Sequence, residues 1–327
     1  MKALIYLILF LGLINVFAEN KVKLNKQTDC FSGIFSTHET WKKHFTASGR
    51  LTSENFEAIF PSDKYSRYKS TIECKEIIYY VGKTLVSGYY LTSKDRKDIK
   101  SPTLIYNRGG NARMGSMVFG AMFHRLFPLV ESGFTVIGSR YRGGTAWHSD
   151  TKNYDDNDEY GGNDVDDVVA LFKLFPEFNS IDANRVGMLG WSRGGLQTML
   201  AVQRVDDIKA VALIATPTDL SDLLVRRPKM EQVFRARIPN YDKNKEKELA
   251  KRSILNWIDK TPNIPIFIGH AIDDQRVPSE NALRLAFSLE ELDREYKLVI
   301  YESGGHGMGA NSDDLYMQLA NWFNKYL

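Results

Sequence analysis

A serine held between two glycines occupies the most informative position of this chain. The motif Gly-Trp-Ser-Arg-Gly at residues 190–194 follows the short apolar run 185–189 and precedes a helical pattern. In that context the motif predicts a sharp turn from a strand into a helix, which would expose the Ser192 hydroxyl as a nucleophile. Glycines suit such a turn because side chains would collide where the strand and the helix pack together. The pentapeptide is short enough to arise by chance. A nucleophile is therefore indicated only if the chain also supplies a base and an acid that could act on Ser192.

A serine nucleophile needs a base, and the base that we favour among the six histidines is His306. His306 lies in the glycine-rich segment 303–307, between the last apolar run and the last helical pattern. The alternative is a turn histidine that hydrogen-bonds only to the backbone. We interpret His270, which begins the loop 270–278, as structural. His148 is retained as a candidate for the substrate pocket.

Two adjacent aspartates, Asp273 and Asp274, could supply the acid that orients this base. We favour Asp274, which leaves Asp273 to cap the turn, a common role for aspartate in loops. The chain order is then Ser192, Asp274, His306. This is the order of the triad in α/β-hydrolases.

The oxyanion that forms during attack on a carbonyl requires fixed hydrogen-bond donors. One predicted donor is the backbone N–H of Arg193, directly after the nucleophile. The second is the backbone N–H of Gly109, in the loop Asn-Arg-Gly-Gly-Asn at residues 107–111, although a plain turn is the alternative there. Arg108 and Trp191 join His148 as candidates for the substrate pocket.

We predict no cofactor and no metal. The acidic segment 155–167 suggests a calcium loop, but it lacks the glutamate that should close one. Asn163 or Asp164 as the N-cap of the following helix explains its end more simply. Cysteine and histidine do not cluster at the spacing of zinc ligands.

Apolar strands and amphipathic helices alternate from residue 102 onward, which predicts a mostly parallel sheet buried on both faces. A hairpin, with strands at 74–81 and 84–92, should precede it. We therefore expect an α/β-hydrolase fold over residues 73–327, with segment 217–261 as a possible helical cap. The predicted core strands are 103–106, 134–138, 186–189, 210–215, 264–269 and 297–301, and the predicted helices are 117–131, 164–175, 194–205, 279–291 and 313–326.

The first 18 residues have the pattern of a secretory signal peptide. Lys2 precedes the apolar run 3–16, and Val16 and Ala18 are compact residues before a cleavage site at Glu19. The apolar run is short of the ~20 residues that span a bilayer. We therefore expect a secreted or periplasmic protein without stable membrane insertion, the alternative being an uncleaved membrane tether.

Residues 19–72 are polar and helix-leaning, with Trp41, Phe45, Phe56 and Phe60 as predicted packing anchors. The net charge of the whole chain, +3, is too small to indicate a nucleic-acid partner. An oxidising compartment would permit a disulfide between Cys30 and Cys74, but the sequence does not show their separation. It also leaves the oligomeric state open.

The motifs together resemble the catalytic α/β-hydrolase domain of the prolyl oligopeptidase family of serine peptidases. The resemblance spans roughly residues 100–327 and rests on several short motifs. They are Gly-Trp-Ser-Arg-Gly-Gly at 190–195, Asp274 with Val277 and Pro278 in the loop led by His270, Gly-His-Gly at 305–307, Tyr-Gly-Gly at 160–162 followed by the acidic helix start 164–167, and Arg-Gly-Gly at 142–144 with Trp147 and His148.

This resemblance implies that Ser192, Asp274 and His306 are the nucleophile, the orienting acid and the base. The chain also departs from the family. Segment 19–100 is too short for the β-propeller that precedes the catalytic domain in most members. Arg108 stands where family peptidases tend to place an oxyanion-binding tyrosine, and Ala271 replaces a usual glycine.

We therefore predict an exported serine hydrolase that works through an acyl-enzyme on Ser192. A peptidase of the prolyl oligopeptidase type is the leading interpretation. Hydrolysis of short acyl esters by a carboxylesterase is the alternative. A non-catalytic binding protein on a hydrolase scaffold is the third interpretation, because one fold hosts many functions. The substrate in the first two cases is a short peptide or a small ester.

Overall fold

The computed structural model describes residues 22–144 and 157–327, which are built around one nine-stranded sheet. The predicted signal peptide and His148 lie outside these described residues. The strands are β1 (Val22–Asp29), β2 (Ile72–Val81), β3 (Thr84–Ser93), β4 (Ser101–Asn107), β5 (Thr135–Ser139), β6 (Ile181–Trp191), β7 (Ile208–Ile214), β8 (Ile266–Ala271) and β9 (Tyr296–Tyr301).

The sheet has the order β1-β2-β3-β5-β4-β6-β7-β8-β9. Strands β4 to β9 pair in parallel, whereas β1, β2 and β3 are antiparallel. Every residue of β5 and β8 is buried, as expected for strands covered by helices on both faces. The predicted α/β-hydrolase fold is confirmed, and so is the hairpin, in which Val81 pairs with Thr84 across its two-residue turn.

Helices cover both faces of the sheet. Helices α1 to α5 and α13 contribute to one apolar core, and α6 to α12 contribute to the core on the other face. In the described part of the chain, none is both long and apolar enough to cross a bilayer. The helices are α1 (His38–Ala47), α2 (Ser53–Ile59), α3 (Ser62–Thr71), α4 (Phe119–Arg125), α5 (Phe127–Glu131), α6 (Asp164–Val169), α7 (Leu171–Leu174), α8 (Arg193–Val202), α9 (Leu220–Arg226), α10 (Met230–Arg237), α11 (Tyr241–Lys251), α12 (Glu280–Glu291) and α13 (Ser312–Tyr326).

The N-terminal segment differs in part from its prediction. Helices α1, α2 and α3 form where residues 19–72 were expected to be helical, but Val22–Asp29 is a strand that pairs antiparallel with β2. The strand lies at the edge of the sheet and most of its side chains are exposed or half-buried. An edge strand needs few apolar residues, so its sequence shows little of the alternation that marks a half-buried strand.

The N-terminal helices pack onto the sheet through aromatic side chains. Trp41 is fully buried, with its ring 4.4 Å from that of Phe60 and 4.9 Å from that of Phe119 in α4. A disulfide joins Cys30, directly after β1, to Cys74 in β2, with the two Cα atoms 5.4 Å apart. The segment before residue 73 therefore shares a core with the hydrolase fold.

The segment between β7 and β8 is helical, as predicted, and contains α9, α10 and α11. Phe234 of α10 is fully buried, and its ring lies 4.9 Å from that of Tyr160. Residues 217–261, called the cap below, therefore pack against the loop that precedes α6.

Candidate active site

Ser192 lies at the turn between β6 and α8 with the backbone angles φ 56° and ψ −127°. This is a strained conformation for a residue that has a side chain. The Ser192 N–H donates a hydrogen bond of 2.7 Å to the carbonyl of Ile214 in the neighbouring strand. A Cβ atom at Gly194 would overlap the backbone carbonyl of Asn107, and one at Gly190 would overlap the first turn of α8. The glycines of the motif thus permit the close packing that holds this turn.

Asp274 and His306 meet in the loops that follow β8 and β9. Asp274 Oδ2 lies 2.7 Å from His306 Nδ1, and Asp274 Oδ1 accepts the backbone N–H groups of Arg276 at 2.7 Å and Val277 at 3.0 Å. Burial by itself would raise the pKa of the Asp274 carboxyl. Hydrogen bonds from His270, His306 and the Val277 N–H outweigh that effect and lower the pKa well below its ordinary value. The carboxylate is therefore charged where it contacts the imidazole.

Asp273 holds a different part of the site. Its carboxylate is exposed and accepts the backbone N–H of Gly305 at 2.7 Å and that of Gly304 at 3.2 Å. It therefore fixes the loop that presents His306, and the imidazole hydrogen-bonds to Asp274 instead. Trp191 holds the same loop, since its indole N–H donates to the His306 carbonyl at 3.0 Å.

His270 brings a second imidazole to the same carboxylate. The side chain is buried, with Nε2 2.8 Å from the Val277 carbonyl oxygen and 3.3 Å from Asp274 Oδ2. Because a carbonyl oxygen only accepts, Nε2 must carry the proton of this contact. His270 therefore braces the loop of Asp274 from inside the protein, in line with its predicted structural role.

Ser192 and His306 line one cavity of about 790 Å³ at the carboxyl edge of the sheet. Its wall also includes Gly109, Trp191 and Tyr160. Within residues 22–144 and 157–327, the structure shows no direct hydrogen bond between Ser192 Oγ and the His306 ring. Catalytic hydrogen bonds are often long before the substrate binds.

The backbone at Gly109 passes directly beside the serine. A Cβ atom at this position would lie 2.9 Å from the Trp191 carbonyl oxygen and 3.0 Å from Ser192 Cβ. Arg193 begins α8 on the other side of Ser192. The two predicted oxyanion donors thus belong to backbone segments that contact the nucleophile.

The structure contradicts the prediction that Arg108 lines the substrate pocket. Its side chain is fully buried and stacks over Tyr141 at 4.7 Å. Its guanidinium donates to the Arg140 carbonyl at 2.7 Å and to the carbonyls of Ala112 and Met114. Burial lowers the pKa of Arg108 to about 10. The side chain turns inward because its N–H groups satisfy the carbonyls of Gly109, Ala112 and Met114, so it supports the Gly109 loop from behind.

The side chain of Arg193 has a role that sequence reasoning missed. It is fully buried, pairs with Asp158 at 3.0 Å and with Asp164, and lies over the Tyr160 ring at 4.6 Å. It also donates to the Gly110 carbonyl at 2.9 Å. One guanidinium thus connects the serine turn, the Gly109 loop and the acidic segment.

Asn163 occupies the N-cap position of α6, which is one of the two positions predicted for the cap. No side-chain hydrogen bond of Asn163 caps α6, and Asp164 instead accepts N–H groups from Glu159, Gly161 and Gly162. Burial would raise the pKa of Asp164, but Arg193 and these N–H donors together lower it. The sequence showed an acidic segment but no sign that it pairs with Arg193, because the two are distant in the chain.

The mostly parallel sheet defines an α/β-hydrolase fold. The strained serine at a strand–helix turn and the Asp–His pair in the later loops are the residue types that a serine hydrolase requires. A family model described as "Prolyl oligopeptidase family" matches residues 121–327. The chain therefore belongs to the prolyl oligopeptidase family of serine peptidases.

Similarity to named relatives covers most of this chain and a smaller part of theirs. The chain is 26% identical to the uncharacterized peptidase YuxL of Bacillus subtilis (strain 168), over 85% of this chain and 43% of that protein. It is 23% identical to acylamino-acid-releasing enzyme 1 of Oryza sativa subsp. japonica, over 84% of this chain and 36% of that protein. The chain thus spans less than half the length of these relatives.

Solved structures share the fold. An acylaminoacyl peptidase of Pyrococcus horikoshii superposes with a TM-score of 0.65 at 17% identity, over 80% of this chain and 43% of that chain. An acetyl xylan esterase from Paenibacillus sp. R4 superposes with a TM-score of 0.58 at 15% identity, over 79% of this chain and 85% of that chain. At these identities the likeness describes the fold.

Proposed function

We propose that this protein is a serine peptidase that cleaves its substrate through an acyl-enzyme on Ser192. The observation that carries the proposal is the 2.7 Å contact between Asp274 and His306 at the cavity that also holds the strained serine. The charged Asp274 holds the Nδ1–H tautomer of His306, which leaves Nε2 free to accept a proton.

The reaction then follows from the positions of these groups. Ser192 Oγ attacks the carbonyl carbon of the substrate, and its proton passes to His306 Nε2. The backbone N–H groups of Arg193 and Gly109 stabilise the negative charge on the carbonyl oxygen. His306 gives the proton to the leaving amine. A water molecule then attacks the acyl carbon while His306 takes its proton, and His306 returns that proton to Ser192 Oγ as the acyl group leaves as a carboxylic acid.

We propose short peptides as the substrates, including peptides with a blocked amino end. Family membership supports peptide cleavage, and the relative from Oryza sativa is named as an enzyme that releases acylated amino acids. A cavity of about 790 Å³ has the size of a site for a small ligand.

Hydrolysis of short acyl esters is the second candidate. It is favoured by the acetyl xylan esterase, 85% of which is covered by this chain. The same serine, base and oxyanion donors serve either bond, because an ester differs from an amide in its leaving group.

A fluorophosphonate probe and a substrate panel test these proposals. The wild type should bind the probe covalently, Ser192→Ala should not, and Ser221→Ala should behave as the wild type because Ser221 is an exposed residue of α9. Absence of labelling in the folded wild type would instead favour a non-catalytic binding protein. A panel of acyl-aminoacyl peptides and short acyl esters then separates the two reactions, and turnover of the esters without turnover of the peptides would overturn the peptidase assignment.

We further propose that the protein is exported to the periplasm or the medium after cleavage behind Ala18. The proposal is supported by the apolar run 3–16 and by the Cys30–Cys74 disulfide, since disulfides persist in oxidising compartments. Amino-terminal sequencing of protein from the native host should begin at Glu19. A mature chain that still begins at Met1 would contradict cleavage and would support a membrane tether.

A further inference from the structure

We propose that the active-site cavity selects substrates that carry a carboxylate close to the scissile bond. This inference rests on the hydrolase function proposed above and names its substrate class. It is based on Arg125, Arg227 and Arg276, which line the same cavity as Ser192 and His306.

Arg125 lies on the nucleophile side of the cavity. It ends α4, and its guanidinium lies 4.7 Å from the centre of the Trp191 ring, directly before Ser192 in the chain. Stacking on an aromatic face holds the guanidinium, and the Tyr106 hydroxyl also interacts with it. Among the described residues, no carboxylate forms an ion pair with Arg125.

Arg227 and Arg276 come from two elements that meet at the cavity. Arg227 follows α9 of the cap, and its Nη1 donates to the carbonyl of Arg276 at 3.2 Å. Arg276 belongs to the loop that holds Asp274. In the part of the chain that the structure describes, neither guanidinium pairs with an acid.

The other charged groups of the cavity wall are already engaged. Arg193 is neutralised by Asp158 and Asp164. Asp273, the one carboxylate among the described residues of the wall, accepts two backbone N–H groups of the His306 loop. The wall therefore presents three guanidinium groups that lack a carboxylate partner within residues 22–144 and 157–327.

Arg226 is a neighbouring arginine that, unlike the three cavity arginines, has acidic partners among the described residues. It lies next to Arg227 in the chain, outside the cavity wall, and pairs with Asp222 at 3.3 Å and with Glu280 at 3.4 Å. An arginine at this surface thus finds acidic partners where the fold supplies them.

A substrate carboxylate would neutralise part of the positive charge of the cavity wall. Guanidinium groups bind carboxylates through paired, charge-assisted hydrogen bonds, and a low-dielectric wall strengthens the attraction. A substrate ammonium group in the same position would be repelled. The carboxylate has two possible sources, an acidic side chain beside the scissile carbonyl or the free carboxyl end of a short peptide.

Two matched substrate pairs distinguish these sources. The first is N-acetyl-Glu p-nitroanilide against N-acetyl-Gln p-nitroanilide, which differ in charge at nearly equal size. The second is a fluorogenic tripeptide with a free carboxyl end against the same peptide with an amidated end. We expect kcat/KM to favour the charged member of at least one pair by about tenfold or more, and the preference to decline as salt is added.

Single variants locate the preference. R227Q, R276Q and R125Q should each reduce the charged-to-neutral ratio of kcat/KM, whereas R226Q should leave that ratio unchanged. A ratio of one or less for both pairs, with turnover of the neutral members, would overturn the inference and leave the hydrolase function intact. Equal ratios in the wild type and all three cavity variants would also overturn it.

A binding measurement covers the case in which neither pair is turned over. N-acetyl-Glu amide and N-acetyl-Gln amide are compared as competitors of fluorophosphonate labelling. Stronger protection by the glutamate compound supports the inference, and equal or weaker protection overturns it. Failure of the folded wild type to react with the probe would instead contradict the proposed hydrolase function.

Discussion

The two halves of the candidate site are held by charges of opposite sign. On the nucleophile side, the buried guanidiniums of Arg108 and Arg193 bind the carbonyls of the Gly109 loop. On the side of the base, the carboxylates of Asp273 and Asp274 bind backbone N–H groups. The fully buried arginines are closed off from solvent, whereas His306 is only half-buried.

The difference follows from what each half must present. An oxyanion site needs N–H groups that point into the cavity, so the carbonyls of the same loop point away and require donors behind them. The base needs a carboxylate beside its ring, and loops with free N–H groups hold that carboxylate in place. Each half can be perturbed separately.

Separate replacement of the two aspartates by asparagine should produce the largest effect on kcat and the sharpest contrast between two variants. Asp274→Asn should lower kcat by about ten-thousandfold, because the amide no longer stabilises the imidazolium or selects the tautomer of His306. Asp273→Asn should cost roughly ten- to hundredfold, because the loop shifts while the acid remains. Steady-state kinetics on one chromogenic substrate checks both, and a larger loss for Asp273→Asn would reverse their assignment.

Removal of Arg193 should cost the most stability. Arg193→Met leaves Asp158 and Asp164 buried without their cation, which should lower the free energy of unfolding by about 3–5 kcal/mol. Arg204→Met breaks an exposed pair with Asp166 and should cost less than about 1 kcal/mol. Urea denaturation followed by circular dichroism compares the two, and equal losses would contradict the buried network.

A methyl group at residue 109 should impair the oxyanion site selectively. The added Cβ of Gly109→Ala would lie too close to the Trp191 carbonyl, so the loop must move and kcat should fall about a hundredfold. Gly309→Ala is the control, since a Cβ there meets nothing within 4 Å. If both variants kept wild-type kcat, the backbone at 109 would have no part in stabilising the oxyanion.

The smallest expected effect is the pH dependence of the stability that the Asp274 carboxylate contributes to the folded protein. Because folding lowers the pKa of its carboxyl below the ordinary 3.8, this contribution is complete above that pH and is lost as the pH falls toward the lowered value. The difference in melting temperature between the wild type and Asp274→Asn should shrink as the pH falls below about 4. A difference that stays constant to about pH 3 would contradict a lowered pKa.

The elements that show regular apolar patterns were predictable, and the exceptions have physical causes. The predicted stretch 117–131 is divided into α4 and α5, and Pro128 in the first turn of α5 lacks the N–H that a continuous helix requires. Strand β1 was missed because an exposed edge needs little apolar sequence. Arg108 was predicted to line the pocket, yet its side chain donates to carbonyls behind the loop.

The sequence by itself determined the serine motif, the order of the acid and the base, and the alternation of strands and helices. These features depend on local backbone conformation and apolar periodicity, which nearby residues dictate. Only the tertiary structure decided which of two adjacent aspartates contacts His306, whether Cys30 pairs with Cys74, and which arginines are buried. Each of these depends on the direction of a side chain toward residues distant in the chain, and that direction exists only once the sheet has assembled.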